Sequence, residues 1–209
     1  MIGDYTIKNA HDDSIYKVIT LPNNRIASCS KDKTIKIWKS NPPYSDTPIK
    51  VLTGHSRDVT SLLYIKERDI LISQSFDVTL RLWNMSTYQC ITVIEGVKCF
   101  TNYLYQIDKD RVIVGGYDSF CIVNIDKLLI EKRIRDGSLG RVNCFIKLRD
   151  NNTILCGCYN GIFCFYDMNT KQYKITKNNH NDSILSLLLI DDNTFLSSSR
   201  DDTIKVWKY

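Results

Sequence analysis

The hydrophobic residues of this chain come in short runs. Val59-Thr60-Ser61-Leu62-Leu63, Ile70-Leu71-Ile72-Ser73 and Leu80-Arg81-Leu82-Trp83 are typical: a few β-branched or aliphatic residues, then a stop. Clusters such as Pro22-Asn23-Asn24, Asn160-Gly161 and Asp191-Asp192-Asn193 punctuate them. Short runs between turn residues predict strands and tight turns. No segment sustains a 3.6-residue apolar period, so almost no helix is expected. The longest apolar run, around Leu185 to Ile190, carries Ser186 and falls far short of the roughly 18 residues of a membrane span.

The strand pattern is periodic. The segment Asp32-Lys33-Thr34-Ile35-Lys36-Ile37-Trp38 returns as Asp77-Val78-Thr79-Leu80-Arg81-Leu82-Trp83 and again as Asp201-Asp202-Thr203-Ile204-Lys205-Val206-Trp207. A serine stands four residues before each Asp, at Ser28, Ser73 and Ser197. A histidine stands 21 or 22 residues before each Asp, at His11, His55 and His180. Every His and every Trp of the chain belongs to this pattern. Two weaker copies lie between: Asp118 leads to Asn124, and Asn160 leads to Tyr166. The Trp-equivalent positions 38, 83, 124, 166 and 207 are 41 to 45 residues apart. That period fits one four-stranded propeller blade.

These residues resemble the WD-repeat (WD40) β-propeller family across essentially the whole chain. Gly54-His55 is similar to the family's Gly-His pair. Trp38-Lys39, Trp83-Asn84 and Trp207-Lys208 stand where a Trp-Asp pair would be; the Asp survives only as Tyr166-Asp167. The resemblance implies an all-β propeller of about five blades, each of four antiparallel strands. It implies a single domain over 1–209, with repeats near 9–45, 53–90, 95–130, 138–172 and 178–209. Residues 3–8, around Asp4-Tyr5-Thr6-Ile7-Lys8, are expected to supply a strand that closes the last blade. Most members have seven blades. Five blades leave open a compact five-bladed ring, a piece of a longer chain, or a partner that supplies the rest.

The resemblance also implies a hydrogen-bonded brace in three blades. It would join Trp38, Ser28, His11 and Asp32; Trp83, Ser73, His55 and Asp77; and Trp207, Ser197, His180 and Asp201. Each buried polar group then has a partner. The third blade has Val97, Val114 and Asn124 at brace positions, and the fourth has Cys156, Asn160 and Tyr166. Those two blades are expected to open more easily.

Composition narrows the function. Hydrophobic residues make up 43% and charged residues 24%, which is ordinary for a globular domain. The net charge of +5 is mild and mildly favours acidic partners. Lys and Arg are spread over every repeat, so nucleic acid, and with it an RNA-processing platform, is the second partner class rather than the first. The start of the chain shows no basic stretch followed by an apolar one. Cys29, Cys90, Cys99, Cys121, Cys144, Cys156, Cys158 and Cys164 therefore read as reduced, small core residues of a cytoplasmic or nuclear protein. Sequons at Asn84, Asn151 and Asn181 matter only in a secreted chain.

The chemistry readings are bland. Ser, His and Asp recur three times with a Trp, and no G-x-S-x-G elbow is present, so the brace explains them and no catalytic residue is assigned. Cys156-Gly157-Cys158 lacks the C-x-x-C spacing of zinc sites, and no metal or cofactor is expected. The expected function is a protein-interaction scaffold or adaptor, monomeric if the ring closes, with no membrane insertion. In the resembling family, ligands touch the residue before the turn Asp and residues near the start of the first strand. Here these are Tyr16, Lys31, Phe76, Tyr117, Arg141, Tyr159 and Arg200, with Asp58, Thr60, Asn102 and Asn143 nearby. Aromatics and cations together suit an acidic or phosphorylated segment. A ubiquitin-ligase substrate receptor is the alternative if the chain is part of a longer protein. The family's Trp-Asp-x-Arg docking motif is absent, since Trp38 and Trp83 precede Lys39-Ser40-Asn41 and Asn84-Met85-Ser86.

Overall fold

The computed structural model describes residues 5–98, 103–150, 152–177 and 179–209. Cys99, Asn102, Asn151 and residues 3–4 lie outside them. Among the described residues the fold is nineteen strands and one 3-10 turn at Lys66–Arg68. The near absence of helix follows from the short, β-branched runs.

The chain divides into two compact units, Met1–Lys98 and Cys99–Tyr209. The first holds two four-stranded sheets. Ile15–Leu21 (β1), Arg25–Ser30 (β2), Ile35–Lys39 (β3) and Lys50–Leu52 (β4) form blade one. Val59–Ile65 (β5), Ile70–Ser75 (β6), Leu80–Asn84 (β7) and Cys90–Ile94 (β8) form blade two. The second unit holds three sheets. Leu104–Gln106 (β9), Arg111–Gly115 (β10), Ser119–Asn124 (β11) and Leu129–Arg135 (β12) form blade three. Val142–Lys147 (β13), Thr153–Cys158 (β14), Phe163–Asp167 (β15) and Tyr173–Thr176 (β16) form blade four. Ile184–Leu189 (β17), Thr194–Ser199 (β18) and Ile204–Lys208 (β19) form blade five, which has three strands among the described residues. In every sheet the strands lie in chain order, an antiparallel meander.

Blade faces pack on blade faces. In the first unit Ala27, Ile35, Ile37 and Leu52 of blade one share a buried cluster with Val59, Leu62 and Trp83 of blade two. In the second unit Phe120 and Ile122 join Val142, Phe145, Ile154 and Tyr166, while Leu155 and Phe163 join Ile184, Leu187 and Phe195. Each fully buried aliphatic or aromatic side chain contributes about 1.5–3 kcal/mol. Cys29, Cys121, Cys144, Cys156, Cys158 and Cys164 are buried free thiols in these layers and Cys90 is half-buried. Burial pushes the Cys29 and Cys144 thiols up to about 12, where they stay protonated.

Four of the five first strands share a defect. Register shifts fall between Ile15 and Lys17, Val59 and Ser61, Val142 and Cys144, and Ile184 and Ser186. A bulge at one repeated place re-aims the side chain at its tip, here Tyr16, Thr60, Asn143 and Leu185.

Of the strand expected at 3–8, residues 3 and 4 lie outside the described residues. Residues 5–8 are not in a strand. The Tyr5 hydroxyl and the Lys8 amide both donate to Asp46 Oδ1, at 3.0 and 3.4 Å, and the Tyr5 ring stacks on Tyr44. Asn9 follows at a φ of 51°, which turns the chain. The bond from Lys8 takes up a backbone amide that a sheet ladder would use.

Candidate blade-end interface

Three blades carry the same brace. The Trp38, Trp83 and Trp207 Nε1–H groups donate to Ser28, Ser73 and Ser197 Oγ at 2.8, 2.9 and 2.7 Å. Each serine hydroxyl faces a histidine Nε2, with His11, His55 and His180 at 2.7, 2.7 and 2.6 Å. Each histidine Nδ1 faces a carboxylate, with Asp32, Asp77 and Asp201 at 2.7, 2.7 and 2.9 Å. When the serine proton is directed to Nε2, the serine accepts from the indole and donates to the imidazole. The histidine is then neutral and donates from Nδ1 to Asp. One run of donors leads from the indole to the carboxylate.

Two further residues complete each brace. Thr34, Thr79 and Thr203 donate from Oγ1 to the Asp Oδ1 at 2.7, 2.7 and 2.6 Å. The Asp backbone amide donates to Ser30, Ser75 or Ser199 Oγ at 3.0 or 3.1 Å. The signal was in the chain as Ser-x-Asp-x-Thr, repeated at 30–34, 75–79 and 199–203. The middle residue between Asp and Thr sits at positive φ: Lys33 at 70°, Val78 at 63° and Asp202 at 65°.

Electrostatics follow from burial and bonding. Burial holds the His11 and His55 imidazoles below their usual value, against the opposing pull of Asp32 and Asp77. Burial pushes the Asp32 carboxyl up, but the bonds from Thr34, His11 and Asp12 outweigh it and hold the group at about 2. Asp77 is lowered by the same balance, with Thr79 and His55 as donors. Thr203 chiefly lowers Asp201.

Blades three and four lack the brace and fill its positions with other groups. Val97 and Val114 are fully buried, and Asn124 instead donates to Glu131 at 2.6 Å. In blade four Cys156, Tyr166 and Leu139 are buried in one cluster, and the Tyr166 ring meets Phe120 edge-on at 5.8 Å. Asn160 Nδ2 donates to the Ser138 carbonyl at 2.6 Å.

The ligand-position residues gather at one end of each blade. The residue before the turn Asp donates its amide to the carbonyl just ahead of the first strand. Lys31 reaches Ser14, Phe76 reaches Asp58, Tyr159 reaches Arg141 and Arg200 reaches Ser183, at 2.7 to 3.0 Å. The side chains differ between units. In the first, Lys31 pairs with Asp13 at 3.3 Å, the Tyr16 hydroxyl donates to Asp58 at 3.1 Å and Phe76 is half-buried. Asp13 and Asp58 thus occupy two of the expected contacts.

In the second unit the residues lie together. Tyr117 and Arg141 form an antiparallel bridge, and Tyr159 donates its amide to the Arg141 carbonyl at 2.7 Å. Tyr117 and Tyr159 are exposed on either side. Arg141 is half-buried, and its Nε is buried with no hydrogen-bond partner. Asn143 is buried, and its Nδ2 donates to Ser183 Oγ at 2.8 Å and to the Ile184 carbonyl at 3.0 Å. Ser183 holds the amide of the exposed Arg200, so Arg200 adjoins the Arg141 end. Asn143 was expected at the face; it serves instead to join blades four and five. Among the described residues no group of three or more His, Cys, Asp or Glu could hold a metal ion.

Comparison with known proteins agrees with this geometry. The model of the family "WD domain, G-beta repeat" matches residues 5–39, 46–84 and 171–208. The matched segments contain the three braced turns; the stretch between the second and third, 85–170, holds β9 to β15 of the two blades without a brace. The nuclear distribution protein nudF of Aspergillus niger is 35% identical over 100 residues, covering 47% of this chain and 22% of that protein. The nuclear distribution protein nudF 1 of Talaromyces marneffei is 39% identical over 71 residues, covering 34% and 15%. The ubiquitin homeostasis protein lub1 of Schizosaccharomyces pombe is 34% identical over 132 residues, covering 61% and 17%. The chain thus spans less than a quarter of the length of these curated relatives. With the family model matched over more than half of the chain, on five antiparallel sheets, the chain belongs to the WD-repeat family: an all-β propeller protein of about five blades.

Proposed function

We propose that this scaffold binds an acidic or phosphorylated segment of a partner protein at the blade ends of its second unit. One observation carries the reading. Arg141 lies between two exposed tyrosines, tied to both through its backbone, with a buried Nε that has no hydrogen-bond partner. A carboxylate or phosphate satisfies a guanidinium in a way that a neutral peptide does not. Tyr117 and Tyr159 supply rigid apolar flanks, as interface centres favour. Arg200 adds a second cation beside Ser183.

In the first unit Lys31 and Tyr16 are engaged by Asp13 and Asp58. Those carboxylates leave them less free to take an anion of their own. No catalytic step is assigned, and the cytoplasm is the proposed location.

The test is fluorescence anisotropy with paired peptides, phosphorylated and not. The phosphorylated member binds better, and Arg141→Glu with Arg200→Glu lowers its affinity about 10- to 100-fold, the loss of one or two charge-assisted bonds. If reversal at Lys31, Arg141 and Arg200 together leaves binding unchanged, the reading fails. Tight binding of a random oligonucleotide with a steep salt dependence would favour the nucleic-acid class instead.

A further inference from the structure

Strand β12 runs into an exposed turn. It lies at one edge of blade three, and its last residues are Arg133-Ile134-Arg135. Ile134 is buried in the cluster shared with blade four, while Arg133 and Arg135 alternate with it and are exposed. Gly137 and Ser138 follow at the exposed tip of the turn. Ser138 therefore has one arginine three residues ahead of it and another five ahead.

A serine kinase with an acidic substrate groove takes arginines ahead of the hydroxyl by paired charge-assisted bonds. An edge strand also offers its free backbone groups to such a groove. Four Ser or Thr residues of this chain have Arg three residues ahead: Ser28, Thr60, Ser138 and Thr203. Ser28 and Thr60 are buried, and Thr203 belongs to the brace of blade five. Only Ser138 also has the second arginine.

Phosphate on Ser138 would change the turn. The Ser138 amide and hydroxyl both donate to Asp136 Oδ1, at 2.9 and 2.7 Å. A phosphoserine carries about −1.5 to −2 charges and has no such hydroxyl proton, so like-charge repulsion drives it off Asp136. Arg135 alternates with Ile134 and so points away from blade four. Ser138 is tied toward blade four, since Asn160 Nδ2 donates to its carbonyl at 2.6 Å. Arg141, three residues on, stands at the start of that blade and holds the Tyr159 amide beside Asn160.

We infer that Ser138 is a phosphorylation site for an arginine-directed serine kinase, and that its phosphate turns onto Arg141 and closes the anion-binding end proposed above. The closing effect rests on that reading of Arg141. The Ser138 oxygen takes the terminal phosphoryl group of a nucleoside triphosphate, the diphosphate leaves, and the hydroxyl proton passes to the kinase.

Incubation of the folded full chain with a purified arginine-directed kinase and ATP tests it, read by tandem mass spectrometry. A phosphate is expected on Ser138. Ser138→Ala takes up none there, and Arg133→Gln with Arg135→Gln slows labelling about 10-fold or more. Arg135→Gln alone replaces the double variant if circular dichroism shows it unfolded. Phosphorus NMR should find the phosphate's second ionisation about half a pH unit lower in the labelled wild type than in labelled Arg141→Gln, the worth of an exposed ion pair. Labelling should also weaken phosphopeptide binding about 10-fold. A native chain that takes no phosphate on Ser138 overturns the inference, as do equal ionisation midpoints with and without Arg141, or a peptide affinity that labelling leaves unchanged. An unlabelled chain that binds no phosphopeptide strikes the binding face, and with it the closing effect, while labelling and ionisation still test Ser138.

Discussion

Asn143 Nδ2 donates to Ser183 Oγ across 2.8 Å, joining the bulged residue of blade four to the residue that starts blade five. Tyr16 and Asp58 make the corresponding link between blades one and two, at 3.1 Å. The bulge lets one residue of the first strand leave the ladder and bond the neighbouring blade. Asn143 is buried, so its loss leaves Ser183 Oγ short of a donor away from bulk water. Asn143→Ala should cost about 1–3 kcal/mol in urea unfolding. Tyr16→Phe, at an exposed site, should cost less than about 1 kcal/mol. Equal costs would mean that the bond at Asn143 carries no special load.

Ser73 is both acceptor and donor in its brace. Ser73→Ala strands the Trp83 N–H and the His55 Nε2 together, both buried. The expected cost is about 2–4 kcal/mol, more than one lost bond. Trp83→Phe in the Ser73→Ala background should add less than in the wild type, and a double-mutant cycle measures the difference. Strict additivity would show that the brace does not act as a unit.

Acid should weaken the fold in two stages. The folded His11 and His55 sit below the 6.5 of a free histidine, so below 6.5 the unfolded chain binds more protons and stability falls with pH. Asp32 is held at about 2 against 3.8 when free, so its contribution is present above 3.8 and is lost as pH falls toward 2. Denaturation midpoints at pH 7.5, 5.5 and 4 should decline in that order. A flat profile from 7.5 to 5.5 would mean that the histidines are not held neutral.

Val78 is a β-branched residue at a φ of 63°. A left-handed conformation costs a non-glycine residue about 1–2 kcal/mol, and glycine loses part of that gain through its freer unfolded state. Val78→Gly should raise stability by about 0.5–1 kcal/mol. Lys33→Gly, at the same turn of blade one, should gain less. A loss at Val78 would show that its side chain holds more by packing than its backbone costs.

Amide exchange should separate the blades. The central strands β2, β6 and β18 lie in braced blades, while β10 and β14 do not. Faster exchange at Val112–Val114 and Leu155–Cys158 is expected. Equal protection would mean that the buried Val114, Cys156 and Leu139 replace the brace in full.

Much of this molecule was written in the order of its residues. The Asp-to-Trp segment and its His and Ser carried the blade period and the three braces, because tight turns and buried polar partners tolerate few residue types. The Ser-x-Asp-x-Thr turn was equally legible, since it too repeats at fixed spacing. The outer strands β4, β8, β12 and β16 carry no such mark: a half-exposed strand accepts many residues, so only the ladder reveals it.

Tertiary structure alone decided what each side chain meets. Tyr16 and Asn143 share one position in the repeat, yet one is exposed and the other buried, because burial depends on the neighbouring blade rather than on the strand. Lys31 and Arg200 also share one, but only Lys31 has a carboxylate at hand in Asp13. The isoleucines at 35 and 204 both stand in a Thr-Ile-Lys segment, and one is buried while the other is exposed. Local sequence determined the blade; what covers each blade face is set by surfaces far apart in the chain, and no local pattern encodes that.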